Sequence, residues 1–199
     1  MVTMEMLDTY HQKSPMCSHH ATYQAGSTML EVLITIVILA VGLLGLAGLQ
    51  SRLQISEMES YQRAQALILL NDMSSRIATN RNAAATYVTS AVGAGMTCPT
   101  STATQKARDT MEWCNALQGA AEKTSANNVV GAMIGGRGCV ESVGANRYMI
   151  TVAWQGAVAL SAPPAAVSCG ANLYDTAGTQ CTGDLCRRVV TTVVQIATL

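Results

Sequence analysis

The chain has 199 residues with 12 basic and 12 acidic side chains, so its formal net charge is zero. A neutral chain without a clustered basic face argues against nucleic-acid binding. All three histidines, His11, His19 and His20, lie within the first 20 residues, so the remainder has no imidazole for a Ser-His-Asp triad or a His-ligated metal. We therefore expect no catalytic residue, no metal site and no cofactor.

An uncharged run of 18 residues, Val32 to Leu49, follows directly after the carboxylate of Glu31. A helix that crosses a bilayer needs about 20 apolar residues, so this run is long enough for a membrane span. A carboxylate drawn to the centre of such a span costs roughly 2.5 to 3.5 kcal/mol, and it therefore usually has a partner charge. A junction of small residues, Ala25-Gly26-Ser27, precedes the run.

Residues Gly26 to Glu31 and the apolar run after them resemble the type IV prepilin signature, which is a glycine, a scissile bond, four residues and a glutamate. The resemblance implies that a prepilin peptidase cleaves between Gly26 and Ser27 and methylates the new amine of Ser27. It also implies that Glu31 pairs with the terminal amine of a neighbouring subunit. The chain departs from the family at two points, since Ser27 replaces the usual Phe and Lys13 is the only basic residue before the junction.

The alternatives for the N-terminal segment are an uncleaved single-span anchor and a secretory signal peptide. In a signal peptide, an apolar core of about 7 to 15 residues precedes the cleavage site. Here the junction precedes a longer core, so cleavage would leave the helix on the mature protein. We expect a leader at 1–26, a transmembrane and filament-core helix at 27–50, a periplasmic half of the same helix at 51–80 and a globular head at 81–199.

Helical periodicity continues beyond the membrane run, and no proline occurs between Pro15 and Pro99. We predict one helix from about Thr28 to Asn80, roughly 80 Å long at 1.5 Å per residue. We expect an apolar stripe on its second half to bury against a sheet: Leu53, Tyr61, Ala64, Ile68, Met73 and Ile77. We expect four charged side chains of this half to face water: Glu57, Glu59, Arg63 and Arg76.

The middle of the chain predicts a connection, a short helix and a turn. Residues 82–104 are rich in Ala, Thr, Ser and Gly, which predicts a surface connection. Apolar residues at spacings of three and four from Ala107 to Ala121 predict an amphipathic helix, in which we expect Trp113 to serve packing. A glycine cluster that ends at Gly138 predicts a turn before a strand containing Cys139 and Val140.

Two strands are predicted in the last third of the chain. Large apolar and smaller residues alternate from Tyr148 to Trp154, and β-branched residues dominate from Val189 to Ala197. The stretch between them, Ser161 to Gly183, has the composition of a loop. We interpret Arg187 and Arg188 as solvated residues of a strand edge.

Six cysteines follow the predicted cleavage site: Cys98, Cys114, Cys139, Cys169, Cys181 and Cys186. An even set of six in an exported domain predicts up to three disulfides in an oxidising periplasm, and six cysteines allow 15 pairings. Our proposed pairs are Cys98 with Cys114, Cys139 with Cys186, and Cys169 with Cys181. A zinc site is the alternative, but no CxxC motif supports it.

Within the prepilin family, the stretches Gly42–Gln50, Tyr148–Trp154 and Cys186–Val190 resemble minor pilins. The resemblance implies an α+β pilin-like fold, with a long N-terminal helix packed on a small antiparallel sheet of about four strands and a Cys-rich C-terminal region. It implies a structural subunit, not an enzyme, that joins other minor pilins and the major pilin in a priming or tip complex. Such a subunit promotes pilus assembly, displays an adhesin and supports twitching motility and cell adhesion.

The implied partners are the prepilin peptidase, the pilus assembly platform, a tip adhesin and the inner membrane, with no nucleic acid. The subunit is expected in the bacterial inner membrane with its head in the periplasm, and then in the extracellular pilus. One alternative is a minor pseudopilin of a type II secretion system, which shares the N-terminal chemistry. An alternative of another class is a membrane-tethered periplasmic enzyme or binding module.

Overall fold

The computed structural model describes residues 29–119 and 133–197. The elements in chain order are α1 (Met29–Thr79), a 3₁₀ helix (Arg81–Tyr87), β1 (Thr89–Gly93), α2 (Gln105–Leu117), β2 (Arg137–Gly144), β3 (Arg147–Gln155) and β4 (Arg187–Gln195). The described part of α1 begins and ends within one residue of the predicted helix. The predicted leader at 1–26 and the Gly26–Ser27 junction lie outside the described residues.

The chain divides into two compact units, Met1–Gly48 and Leu49–Leu199, and α1 contributes residues to both. In the first unit, the described residues are the helical residues 29–48, and all of them are exposed. The second unit, called the head unit below, contains the rest of α1, α2 and all the strands.

The strands form one antiparallel sheet in the order β1-β2-β3-β4. β2 and β3 form a hairpin whose turn places Asn146 at a φ of 53°, a left-handed conformation that asparagine tolerates. β3 and β4 pair over nine residues without a bulge, and residues 156–186 connect them. With the second half of α1 packed on this sheet and disulfides in the C-terminal region, the predicted α+β pilin-like fold is confirmed.

The larger core lies between the helices and one face of the sheet. α1 contributes Ala66, Leu70, Met73 and Ile77, at the spacings of four, three and four that place side chains on one helical face. Trp113 of α2 is fully buried in this core and donates a hydrogen bond from its indole nitrogen to the carbonyl of Leu69, at 3.0 Å. The prediction that Trp113 serves packing is confirmed.

A smaller core lies on the opposite face of the sheet. It contains Cys139 of β2 and Ala153 of β3, together with Cys169 and Tyr174 of the connection between β3 and β4. The Tyr174 hydroxyl donates to the carbonyl of Gly135 at 2.9 Å. The connection therefore covers the sheet face that the helices leave open.

The predicted apolar stripe of α1 was wrong in its first half. Leu53, Tyr61 and Ile68 are exposed, whereas Gln62 and Ala66 are buried. The second half of α1 carries apolar side chains around its circumference, so periodicity did not single out one face. Met73 and Ile77 are shared by the predicted and the observed stripe and are both buried.

The predicted surface connection at 82–104 was also wrong in part, because it contains the 3₁₀ helix and β1. Ala84, Tyr87 and Val92 are buried in the larger core. Only four large side chains in this stretch are apolar or aromatic, so its composition resembles a loop, although Tyr87 and Val92 among them are buried. α2 is shorter than predicted: Thr104 caps it by accepting a hydrogen bond from the Ala107 amide at 3.1 Å, and Gly119, at a φ of 79°, follows its end.

Candidate functional site

The N-terminal part of α1 presents an uninterrupted exposed surface. Every residue from 29 to 58 is exposed, and Leu44 keeps 73% of its surface accessible. Glu31 lies in the first turn of α1, where a carboxylate is favoured by the positive end of the helix dipole. Soluble proteins rarely leave apolar patches larger than a few hundred Å² uncovered, so this segment requires a membrane or a protein partner as cover.

Among the described residues, α1 is long and apolar enough to cross a membrane, and none of its most apolar window of 18 residues is buried. The core helix of a soluble protein would bury that window. A helix of this composition that buries none of it is suited to lipid, or to the apolar faces of other helices.

A buried carboxylate links α1, the 3₁₀ helix and α2. The Asp109 side chain is 3% exposed and accepts hydrogen bonds from Arg76 at 2.9 Å, from Gln105 at 2.8 Å and from the Tyr87 hydroxyl. Arg76 also pairs with Asp72 at 2.9 Å and Glu112 at 2.6 Å. Burial lowers the pKa of Arg76, but the hydrogen bonds to Glu112, Asp72 and Asp109 outweigh that effect and raise the pKa above its ordinary value.

The expectation that Arg76 faces water was therefore wrong. Its guanidinium joins two helices of the head unit, because Asp72 belongs to α1 whereas Asp109 and Glu112 belong to α2. Sequence reasoning also missed Asp109. The available signal was its position four residues before Trp113, which places both on the same face of α2.

Burial, with the nearby Asp109 carboxylate, raises the pKa of Tyr87 from 10.0 to about 12. A raised folded-state pKa contributes stability below the unfolded pKa, and that contribution is lost as the pH rises through the folded value. We expect the thermal midpoint of the head unit to fall as the pH rises from about 10 to about 12. In Tyr87→Phe this part of the fall should disappear, whereas Tyr61→Phe, at an exposed tyrosine, should keep it. Identical pH profiles for Tyr87→Phe and the parent would contradict the assignment.

All six cysteines after the predicted cleavage site are paired. The disulfides join Cys98 to Cys114, Cys139 to Cys169, and Cys181 to Cys186. The first pair is the one proposed from the sequence, and the other two proposed pairs were wrong. The Cys139–Cys169 bond attaches the connection to the smaller core, and the Cys181–Cys186 bond closes a short loop just before β4.

Arg187 is buried, so its interpretation as a solvated residue was wrong. Its guanidinium donates to the carbonyls of Val167 at 2.7 Å and Cys169 at 3.1 Å, and it pairs with Asp184 at 3.0 Å. A buried cation needs such partners because desolvation is costly. Arg187 therefore ties the start of β4 to the connection that covers the smaller core.

Glu59 is the first residue of α1 that is not exposed. Its Oε1 accepts from the Ala157 amide at 3.1 Å and from Arg188 at 3.3 Å, and Arg188 also donates to the carbonyls of Leu185 and Val158. The predictions that Glu59 and Arg188 face water were therefore wrong. They join α1 to the start of β4 inside the head unit.

Within 29–119 and 133–197, no group of three or more His, Cys, Asp or Glu side chains is arranged to hold a metal ion. The polar clusters described above are occupied by partners within the head unit. Among the described residues, the largest feature that calls for an external partner is therefore the exposed apolar segment of α1.

Residues 22–47 match the model of the prokaryotic N-terminal methylation motif. Comparisons with curated proteins and with solved structures gave no match. The matched residues contain the predicted junction, Glu31 and most of the apolar run of α1. The chain thus carries the N-terminal methylation motif of type IV prepilin-like proteins, the group of structural subunits that contains pilins and pseudopilins.

Proposed function

We propose that the chain is a minor type IV pilin, a structural subunit that promotes pilus assembly. One observation carries the proposal: the methylation motif leads into a helix whose residues 29–58 are all exposed and largely apolar. Such a surface is stable in lipid before assembly and against neighbouring helices after it. Cleavage before the helix leaves it on the mature protein, which fits a helix that later packs against the helices of neighbouring subunits.

In this proposal the prepilin peptidase cleaves between Gly26 and Ser27 and methylates the Ser27 amine. The amine then pairs with Glu31 of the adjacent subunit. An unpaired carboxylate and an unpaired ammonium are each expensive in apolar surroundings, so the pair favours one axial position of the incoming helix. Glu31 would thereby set the register of assembly.

The proposed partners are other minor pilins, the major pilin, the assembly platform and a tip adhesin. The head would face the periplasm while α1 is in the inner membrane. After assembly the subunit would be part of the extracellular pilus. The three short stretches that resemble minor pilins in sequence are most like those of the type IV pilus modification protein PilV, which favours a minor pilin in this proposal. A minor pseudopilin of type II secretion has the same N-terminal motif, and deletion distinguishes the two: loss of surface pili supports the pilin, whereas loss of secretion with normal piliation supports the pseudopilin.

The test measures the intact mass of the full-length protein from its native membrane and its abundance in sheared fibres. We expect a mass that begins at Ser27, with one added methyl group and six hydrogens fewer for the three disulfides. Glu31→Gln should be processed normally but lowered in fibres by about tenfold or more, since each 1.4 kcal/mol of lost pairing is a factor of ten. Glu57→Gln, at another exposed carboxylate of α1, is the matched control and should assemble as the parent does.

Two outcomes would contradict the proposal. A mass that retains residues before Gly26 would leave α1 as an ordinary membrane anchor. Equal abundance of Glu31→Gln and Glu57→Gln in the fibres would remove the charge pair from the mechanism.

A further inference from the structure

β4 is an edge strand whose outer hydrogen-bonding groups are left uncovered by the residues that the structure describes. The Ile196 amide donates to the Asn146 carbonyl at one end, and the Gly156 amide donates to the Cys186 carbonyl at the other. The register between β3 and β4 is continuous, so these two bonds show that the backbone groups of the even-numbered residues of β4 bond to β3. The amide and carbonyl groups of the alternate residues therefore point away from the sheet: Val189, Thr191, Val193 and Gln195.

Within residues 29–119 and 133–197, no hydrogen bond reaches those outward backbone groups. The segment from Val189 to Gln195 is uncharged, lacks proline and is mostly β-branched. Exposed edges of this kind pair readily with another strand, and proteins normally protect them with charges, bulges or short length.

The opposite edge of the same sheet has such protection. β1 has five residues, and its pairing with β2 shifts between Thr89 and Val92. The Gln118 side chain donates to the carbonyl of Gly93 at 2.8 Å. In the described part of the chain, the sheet is thus protected at β1 and open at β4, so it presents one edge for pairing.

A cleft of about 340 Å³ lies beside the start of this open edge, between α1 and β4 of the head unit. Its lining includes Ser56, Glu59 and Arg63 of α1, Trp154 of β3, and Arg188 and Val190 of β4. Arg63 is exposed and makes no ion pair with any residue that the structure describes. The buried indole nitrogen of Trp154 likewise has no acceptor among the described residues.

We propose that the β4 edge and this cleft form a docking groove for an extended segment of a different pilus subunit. The segment adds a fifth strand beside β4, places an apolar side chain over Val190 and Trp154, and brings a carboxylate to Arg63. Main-chain hydrogen bonds supply the pairing in such strand addition, and the cleft supplies selectivity. The inference rests on the proposed function, because it assigns a contact made on assembly into the fibre.

The charges of the groove favour a different subunit over a second copy of β4. Glu59 also lines the cleft and pairs with Arg188, so Arg63 is the charge of the cleft that no described residue neutralises. Arg187 and Arg188 are the only charged residues of β4. A second β4 would bring no carboxylate to Arg63. An uncharged strand with one acidic residue at its end has the complementary chemistry.

The experiment compares hydrogen exchange in the full-length protein in detergent and in assembled fibres. We expect the amides of Val189, Thr191, Val193 and Gln195 to exchange about a hundredfold more slowly in fibres, because pairing protects amides that are open in the free subunit. If the protein is present in fibres but these amides exchange at the detergent rate, the docking groove is excluded. If the protein never enters fibres, the proposed function fails instead.

Two variants test the same edge. Thr191→Pro removes one outward amide while leaving the bonds to β3, and Val193→Lys adds a charge to the edge. We expect each to lower abundance in fibres by about tenfold, with Ser90→Lys on β1 as the matched control at parental abundance. Thr191→Pro can also weaken the head unit, which a fall in its thermal midpoint would show. In that event the abundance of Val193→Lys in fibres is the test of the proposal. Parental abundance of Val193→Lys would overturn the proposal.

A photoreactive residue at position 195 of the assembled full-length protein identifies the occupant. We expect a crosslink to an extended segment of a different pilus subunit, with an acidic residue near the cleft. A crosslink to a second copy of this chain would overturn the assigned chemistry.

Discussion

Asp109→Ala is expected to destabilise the head unit by about 3 to 5 kcal/mol, the cost of removing one partner of a buried ion pair. The substitution leaves Arg76 without its most buried counter-charge. It also removes the acceptor of the Tyr87 hydroxyl and of the Gln105 amide. The measurement is the urea or guanidinium midpoint of the full-length protein in detergent, followed by a signal from the tryptophans of the head unit.

Glu112→Ala is the matched control, because Glu112 pairs with the same arginine but has a side chain 46% exposed. An exposed ion pair contributes about 0 to 1 kcal/mol, so the loss should be small. The stability lost in Asp109→Asn should lie between these two losses, since an amide oxygen still accepts a hydrogen bond but carries no charge. Equal losses for Asp109→Ala and Glu112→Ala would show that burial of Asp109 does not determine its contribution.

Gly138→Ala is expected to destabilise the head unit by about 3 kcal/mol, at the upper end of the usual cost of overpacking. An added Cβ would lie 2.2 Å from the Trp113 ring, which is fully buried against β2. The ring has no room to retreat, because its nitrogen is bonded to the carbonyl of Leu69 in α1. The denaturation midpoint of the full-length protein again measures the effect.

Trp113→Leu tests the cause of this loss. It destabilises by itself, but it vacates the space above Gly138, so the double variant should lose less than the two single variants together, by about 0.5 to 3 kcal/mol. Ser142→Val, an exposed small-to-large change on the same strand, should alter stability by about 0.5 kcal/mol or less. Simple additivity of Gly138→Ala and Trp113→Leu would mean that the two residues do not compete for space.

The two cores determine what each disulfide does. Cys139–Cys169 closes the longest interval, 30 residues, and ties the smaller core to the sheet, whereas Cys181–Cys186 closes only five. Sequence spacing ranks such loops by closure entropy but does not say which cysteines approach one another. Cys139 pairs with Cys169 because residues 156–186 lie on the face of the sheet opposite the helices.

Local sequence pattern was sufficient for the extended elements. The apolar run after Glu31 and the absence of proline up to Pro99 predicted α1, the alternation at 148–154 predicted β3, and the β-branched stretch at 189–197 predicted β4. Each was within about two residues of the observed ends, since periodicity and propensity are properties of neighbouring residues. The α+β class came from the resemblance to type IV prepilins and not from the pattern of elements. β1 and the 3₁₀ helix were missed because so few of their side chains are large.

By itself, the sequence determined the methylation motif and the membrane-length helix, because each depends on residues adjacent along the chain, and it gave the six cysteines after the predicted junction. The tertiary structure alone decided which face of α1 is buried, which cysteines pair, and that Arg76, Arg187 and Arg188 bind partners instead of facing water. Those outcomes depend on residues up to 129 positions apart, as for Arg188 and Glu59. Burial, which makes a charge require a partner, arises only when the sheet, the helices and the connection pack together.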